Sequence, residues 1–218
     1  SLRVWHTLKY QAYDPEGADA AVELVRASTA NSTNDYYGLI GLGEHVYLPF
    51  FDGPAKTEPY SEEIVSNFMK IATAAAEGGF HIHEHTMADV TVRDLLGPFA
   101  ELNETIPLAP LRWSLAHVFT IQPETIAQAR DLGLTIAVHS VAMYGQPQIQ
   151  PPIRAIQDSG IVWGLGTDAT IVAHYQPFIT LGWAVSGKSI NGNTVIDKPI
   201  TREEALTAHT RSNAYLMF

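Results

Sequence analysis

The chain lacks cysteine altogether and is poor in basic residues. Without cysteine there are no disulfide bonds and no thiolate metal sites, so any metal would be held by His, Asp and Glu. Lys and Arg number 13 against 23 Asp and Glu, which gives a formal net charge of -10. An acidic chain without a basic cluster argues against a nucleic-acid partner, and no apolar run is long enough to span a membrane, so we expect neither.

The two ends also lack features that a complete protein usually shows. Ser1 to Trp5 reads as the inside of a strand, with no initiator methionine and no signal peptide, and the chain closes on the apolar stretch 215–218. We therefore expect a piece of a longer protein. Its localisation is unknown from the sequence, with the cytoplasm favoured.

What the sequence does contain is an alternation of apolar, strand-like runs with amphipathic helical patterns. This alternation is typical of βα units on a parallel sheet, and 218 residues suit a single domain. Six strands are predicted, at 2–9, 35–44, 79–86, 111–119, 134–140 and 161–168. A helix is predicted from Pro15 to Ala27, and Thr201 with Glu204 predicts a capping box at the start of the last helix.

The architecture is predicted from where the polar residues stand. No strand is followed by a glycine-rich phosphate-binding turn, as many doubly wound sheets have, and polar residues end several different strands. In a (β/α)8 barrel those ends meet at one mouth. The sequence therefore favours an α/β fold of the TIM-barrel type over an open doubly wound sheet.

The third predicted strand carries three histidines. Side chains alternate along a strand, so His81, His83 and His85 project to the same side. Burying three imidazoles is costly unless a metal, carboxylates or water satisfy them, and the alternative is a set of hydrogen-bonded core histidines.

Five consecutive strands end in residues that can bind a metal. These are Glu44, His83 (with His81 and His85), His117, His139 and Asp168. Imidazole and carboxylate ligands suit zinc, or less specifically manganese, iron or nickel, and a metal lowers the pKa of a bound water. Asp168 is placed to take the proton of that water, although Gly-Thr-Asp after a strand is also an ordinary helix cap.

Taken in order, these residues carry a family resemblance. His83, the segment 112–117 (RWSLAH) and the segment 166–168 (GTD) resemble the fifth, sixth and eighth strands of an amidohydrolase-superfamily barrel, closest to amidohydrolase family three. The closing segment 203–214 resembles the last helix of that family. The resemblance covers most of the chain from about residue 40 onward.

The resemblance implies a metal-dependent hydrolase of amide or cyclic amide C–N bonds. It implies His83 and His117 as metal ligands, and Asp168 as a ligand that also shuttles the proton. Glu44 would end strand four as a metal ligand, where the superfamily often has a bridging carboxylated lysine or a glutamate, although many relatives carry lysine. Zinc is the favoured metal and a small molecule the substrate.

The chain departs from the family around these positions. Residues 84–87 (EHTM) stand where relatives often read Ala-Ile-Gly-Asp, and Ala116 stands where a glutamate often precedes the histidine. His85, His139 and Tyr144 are candidates for substrate contacts, with core or surface roles as the alternatives. The aromatic loop 45–60 is a candidate lid, or packs against strands outside the chain.

Counting strands fixes the register of the barrel. His81-Ile82-His83 looks like the His-x-His of the superfamily's first strand, but only three predicted strands follow it, whereas a first strand needs seven. The chain is therefore expected to be one partial barrel domain, 1–218, with strands three to eight. The first strands and a flanking small β domain would lie outside it, so this fragment alone should be inactive.

Two other functions stay open at this stage. One is a metal-dependent decarboxylase or other lyase on the same barrel, and the other is a non-catalytic binding barrel that retains inherited histidines. The expected partners are the missing N-terminal part of the barrel and, as an open alternative, a second copy in a homo-oligomer.

Overall fold

A computed structural model describes residues 4–10, 12–30, 34–145, 149–168 and 172–217. The strands form one six-stranded parallel sheet in the order β1-β2-β3-β4-β5-β6, so that neighbours in sequence are neighbours in space. Their bounds are β1 Val4–Leu8, β2 Tyr37–Gly43, β3 His81–Thr86, β4 Ser114–His117, β5 Thr135–His139 and β6 Trp163–Gly166.

Helices connect the strands on the outside of the sheet. They are α1 Pro15–Ala27, α2 Glu62–Glu77, α3 Asp89–Asn103, α4 Pro123–Asp131, α5 Ile153–Asp158, α6 Pro177–Ser186, α7 Arg202–Thr207 and α8 Asn213–Leu216. A π-helical turn, Ala208–Ser212, joins α7 to α8, so the predicted closing helix is one nearly continuous segment. The predicted start of α1 is confirmed: Asp14 caps it, and Pro15 occupies its first turn.

The prediction of a partial TIM barrel is confirmed. A doubly wound sheet reverses its strand order at a switch point, whereas this sheet runs in sequence order throughout. The sheet also curls, because Trp5 and Thr7 of β1 and Gly164 and Gly166 of β6 line one cavity of about 600 Å³. Six strands thus form the larger part of an eight-stranded barrel.

The core lies between the sheet and the helices. Alternate strand residues, such as Ile82, Leu115 and Leu165, are buried there against helical side chains. Trp113 is buried in this layer and its indole Nε1 donates to the Phe80 carbonyl oxygen at 3.0 Å. Because apolar residues fill the outer face, the inner face and the strand ends are left for the polar residues.

The last helical segment is tied to the rest of the barrel by Glu204. The predicted capping box is present, with the Thr201 hydroxyl accepting from the Glu204 amide and the Glu204 carboxylate accepting from the Thr201 amide. The same carboxylate accepts from the Arg154 guanidinium of α5 at 2.9 and 3.1 Å. The hydrogen bond from Arg154 lowers the pKa of Glu204 to about 2.

We expect Glu204→Gln to lower the free energy of unfolding by about 1 kcal/mol at pH 7, after allowance for solvent screening. Since the pKa of Glu204 falls from 4.5 to about 2 on folding, the stabilisation is fully present above pH 4.5. It is then lost as the pH falls through about 2. Urea unfolding of wild type and variant across this range tests the difference, with exposed Glu203→Gln as control. A difference between wild type and Glu204→Gln that does not shrink on acidification would contradict the account.

Candidate metal centre

The carboxyl ends of five strands converge on one mouth. Glu44 follows β2 directly, His85 lies near the end of β3, His117 and His139 end β4 and β5, and Asp168 follows β6. All five line a cavity of about 410 Å³. Parallel strands bring their carboxyl ends together at one edge, and this convergence is what the order of polar residues predicted.

The carboxylate of Glu44 is the hub of the site. Its Oε1 accepts a hydrogen bond from His85 Nδ1 at 2.7 Å and another from His117 Nε2. Burial alone would raise the pKa of Glu44, but the bonds from His117 and His85 outweigh it and hold that pKa well below its usual value. Three ligand-type atoms, from β2, β3 and β4, therefore meet at one point.

His85 is fixed from its other side by Asp52. Its Nε2 lies 3.0 Å from the Asp52 carbonyl oxygen and 3.3 Å from Asp52 Oδ1. Burial would lower the pKa of His85, but the bonds to Asp52 and Glu44 raise it to about 9. Metal-binding histidines usually have their second nitrogen held in this way by a carboxylate or a carbonyl.

Asp52 is a buried connection between three parts of the site. Besides His85, it accepts from the backbone amides of Met87 and Ala88, at 2.9 and 2.8 Å, and from the Thr91 hydroxyl at 2.6 Å. It thereby ties the segment before α3, and the first turn of that helix, to the loop that follows β2. Burial would raise the pKa of Asp52, but the bonds from His85 and Thr91 lower it.

We expect Asp52→Ala to lower the free energy of unfolding by about 3 kcal/mol, because two buried amides and a hydroxyl lose their acceptor. Asp52→Asn, which keeps one oxygen acceptor, should cost less. Thermal or urea unfolding measures both, and Asp197→Ala, at an exposed position, is the control. A cost for Asp52→Ala no larger than that of the control would show that these bonds do not hold the site.

A second cluster lies beside the first. Ligand atoms of His117, His139 and Asp168 all lie within 4.8 Å of one another. The His139 ring meets the His117 ring edge-on, with centroids 4.7 Å apart, and its Nδ1 accepts from the Val141 amide. This tautomer leaves Nε2 of His139 free to act as a ligand, and burial, followed by the nearby His117, lowers the pKa of His139 to about 3.

Backbone strain is concentrated at the same mouth. His45, His117, Val118 and Asp168 have positive φ angles, of 65, 74, 44 and 51 degrees. Such angles are uncommon outside glycine, and for the β-branched Val118 the conformation is a genuine outlier. Strained residues of this kind tend to occur at functional sites, where the surrounding structure holds them in place.

The structure separates His83 from His85. A two-residue step along a strand moves a side chain about 6.6 Å, so His83 lies deeper in the barrel, next to His81. The described residues contain two groups of candidate ligands. One group is Glu44, His45 and His85, and the other is His117, His139 and Asp168. His83 belongs to neither group. His85, predicted as a substrate contact, is thus in a candidate ligand group. His83, predicted as a ligand, lines the larger cavity together with Glu44, His117 and Asp168, and its ligand role stays a prediction.

Two further residues from the sequence analysis, Tyr144 and Glu84, do not line the cavity at the mouth. Tyr144 is half-buried, packs against the core and does not line the cavity at the mouth. Glu84 points to the helix side of β3, where its Oε2 accepts from the Val46 amide at 3.0 Å and burial raises its pKa to about 8. Glu84 therefore holds the loop that follows Glu44, a role that its sequence position alone does not signal.

The donors fit a divalent metal. Four imidazoles and two carboxylates at one mouth are the mixture that suits zinc and related first-row ions. The Nδ1 atom of His117 is buried and has no hydrogen-bond partner within the described ranges. A buried nitrogen without a partner is expected where a ligand such as a metal binds.

Known structures share the fold of this chain. An uncharacterized metal-dependent hydrolase from Pyrococcus furiosus matches with a TM-score of 0.71 at 18% identity, over 99% of this chain and 46% of its own. A guanine deaminase from C. acetobutylicum with bound guanine has a TM-score of 0.62 at 13% identity, over 99% and 52%. A mutant atrazine chlorohydrolase, TrzN from Arthrobacter aurescens TC1, complexed with zinc and atraton, has a TM-score of 0.58 at 18% identity, over 99% and 49%.

The chain thus spans about half the length of these proteins. No curated protein sequence matches it closely enough to count as a relative. Among the described residues, no helix has the length and apolar character needed to cross a membrane. A family model described as "Amidohydrolase family" matches residues 20–218 of the chain. The chain therefore belongs to the amidohydrolase family.

Proposed function

We propose that the protein containing this chain is a metal-dependent hydrolase that cleaves an amide or cyclic amide C–N bond. The observation that carries the proposal is the Glu44 carboxylate, held by the imidazoles of His85 and His117 at the meeting point of five strand ends. Membership of the amidohydrolase family supports the reaction class.

We propose zinc as the metal. Glu44 would hold it together with His85 and His117, whose imidazoles both contact the Glu44 carboxylate. His139 and Asp168, which form a candidate group with His117, lie beside them. When bound, the ion would supply a water of lowered pKa and polarise the scissile carbonyl. The zinc in the atrazine chlorohydrolase structure supports this choice.

Two aspartates of the chain have separate roles in this proposal. Asp52 orients His85 by bonding its Nε2, so that Nδ1 faces Glu44. Asp168 is exposed at the rim, where its carboxylate can take a proton from the attacking water and pass it to the leaving nitrogen. The strained backbone at Asp168 fixes the direction of that carboxylate.

We also propose that the barrel is completed from outside this chain. The sheet has two free edges, β1 and β6, within the described residues, and two further strands would close it. The half-length match to the solved structures supports this. Metal binding and activity are accordingly expected of the natural protein and not of residues 1–218 alone.

Removal of metal tests the proposed function. We expect the natural protein to hydrolyse members of a panel of amides and cyclic amides, with one oxygen from labelled water entering the acid product. Treatment with a chelator should lower the rate at least about a hundredfold, and added zinc should restore it. A rate unchanged by chelation, or turnover of a carboxylated substrate without oxygen from water, would contradict the proposal, and the second would indicate a decarboxylase.

A further inference from the structure

We infer that the cavity at the mouth binds an aromatic group of the substrate next to the reaction centre; this inference rests on the proposed function. Above the polar residues the cavity has an apolar rim formed by Phe51, Pro54, Met87, Phe119, Val141 and Ile149. Its volume of about 410 Å³ suits a small molecule with one ring.

Phe51 is the exposed aromatic surface of this rim. Its ring stacks on His85, with centroids 4.5 Å apart and planes at 22 degrees, and meets His45 edge-on at 4.9 Å. Two histidines hold the ring in place, yet Phe51 remains 50% exposed. Its neighbour Phe50 is fully buried, so the loop turns one ring into the core and presents the next at the mouth.

Phe119 provides a second ring. It is buried, stacks on His117 with centroids 6.0 Å apart, and meets His139 edge-on at 5.4 Å. Phe51 and Phe119 thus each lie against a different histidine of the metal centre. A substrate ring in contact with either would lie next to the scissile bond, and aromatic rings pair favourably in stacked and edge-on arrangements.

Binding of matched amides to the zinc-loaded natural protein tests this inference. The probes are N-benzylacetamide and N-butylacetamide, titrated by calorimetry, with acetate release followed separately. We expect N-benzylacetamide to bind at least about fivefold more tightly than the butyl compound. Equal or reversed affinities, or no binding of N-benzylacetamide up to about 10 mM, would overturn the inference.

Variants test whether the rings of Phe51 and Phe119 cause the preference for the benzyl compound over the butyl compound. Phe51→Ala should reduce the benzyl-over-butyl preference to about twofold or less. Phe119→Leu keeps a large apolar side chain at the buried position and should also weaken the preference. Phe178→Ala, at an 84% exposed ring that does not line the cavity, is the control and should change nothing. An unchanged preference in both rim variants would overturn the assignment.

The two readouts separate the two proposals. Selective binding without acetate release would leave the aromatic site standing and count against the proposed hydrolase. Acetate release without selectivity would support the hydrolase and overturn the aromatic site.

Discussion

We expect Asp168→Asn in the natural protein to lower kcat by about a thousandfold, while KM changes little. Asparagine has nearly the shape of aspartate, but its amide cannot take a proton from water and return it to the leaving nitrogen. Asp168 is exposed and lies after β6, so we expect the folded structure to be unaffected. Steady-state kinetics on any amide that the wild-type protein hydrolyses measures the effect.

The control for this variant is Asp131→Asn, at an exposed carboxylate bonded to its neighbour Arg130. It makes the same chemical change on the far side of the chain from the mouth and should leave kcat unaltered. Hydrolysis by Asp168→Asn at a rate within about threefold of wild type would exclude Asp168 as the proton shuttle.

We expect His85→Ala to remove stoichiometric zinc from the natural protein, and His83→Ala to retain it. His85 Nδ1 bonds Glu44 at 2.7 Å, and the loss of a ligand should weaken zinc affinity by about a hundredfold or more. His83 lies two residues before His85 on β3, deeper in the barrel, and belongs to neither ligand group. Elemental analysis after equilibration with a competing chelator measures the zinc content of both variants.

The pair is its own matched control, because both variants shorten an inward-facing histidine of the same strand. Loss of zinc in His83→Ala and its retention in His85→Ala would return the ligand role to His83. Equal loss in both would indicate that the deeper histidine is also part of the centre.

Much of the fold follows from local patterns. Strand and helix order depends on apolar periodicity, which each segment carries by itself, and the capping box at Thr201 and Glu204 is complete within four residues. Strand ends are less well determined. The fourth predicted strand began at Leu111, but Arg112 adopts a left-handed φ of 53 degrees, so β4 begins only at Ser114.

The site follows from sequence only in part. Glu44, His117, His139 and Asp168 each stand at a strand end, and strand order alone brings strand ends together. The choice between His83 and His85 could not be made, because a period of two fixes the face of a strand and not the depth along it. Depth depends on how β2 and β4 are staggered against β3, which is a tertiary property.

Asp52 illustrates what a single sequence does not reveal. It stands in an Asp-Gly-Pro segment that reads as an ordinary turn, and its partners at 85–91 are more than thirty residues away. Tyr144 shows the opposite case. It follows β5 on the functional side of the barrel, but the 3-10 turn Ser140–Tyr144 carries it away from the cavity.

The central claim is that one metal ion is held by Glu44, His85 and His117. The most direct measurement is a crystal structure of the zinc-loaded natural protein, with an anomalous difference map at the zinc absorption edge. We predict a peak about 2.0–2.2 Å from a Glu44 oxygen and from nitrogens of His85 and His117. A peak bonded to His83 with His85 outside bonding distance, or no peak at this mouth in zinc-loaded crystals, would contradict the account.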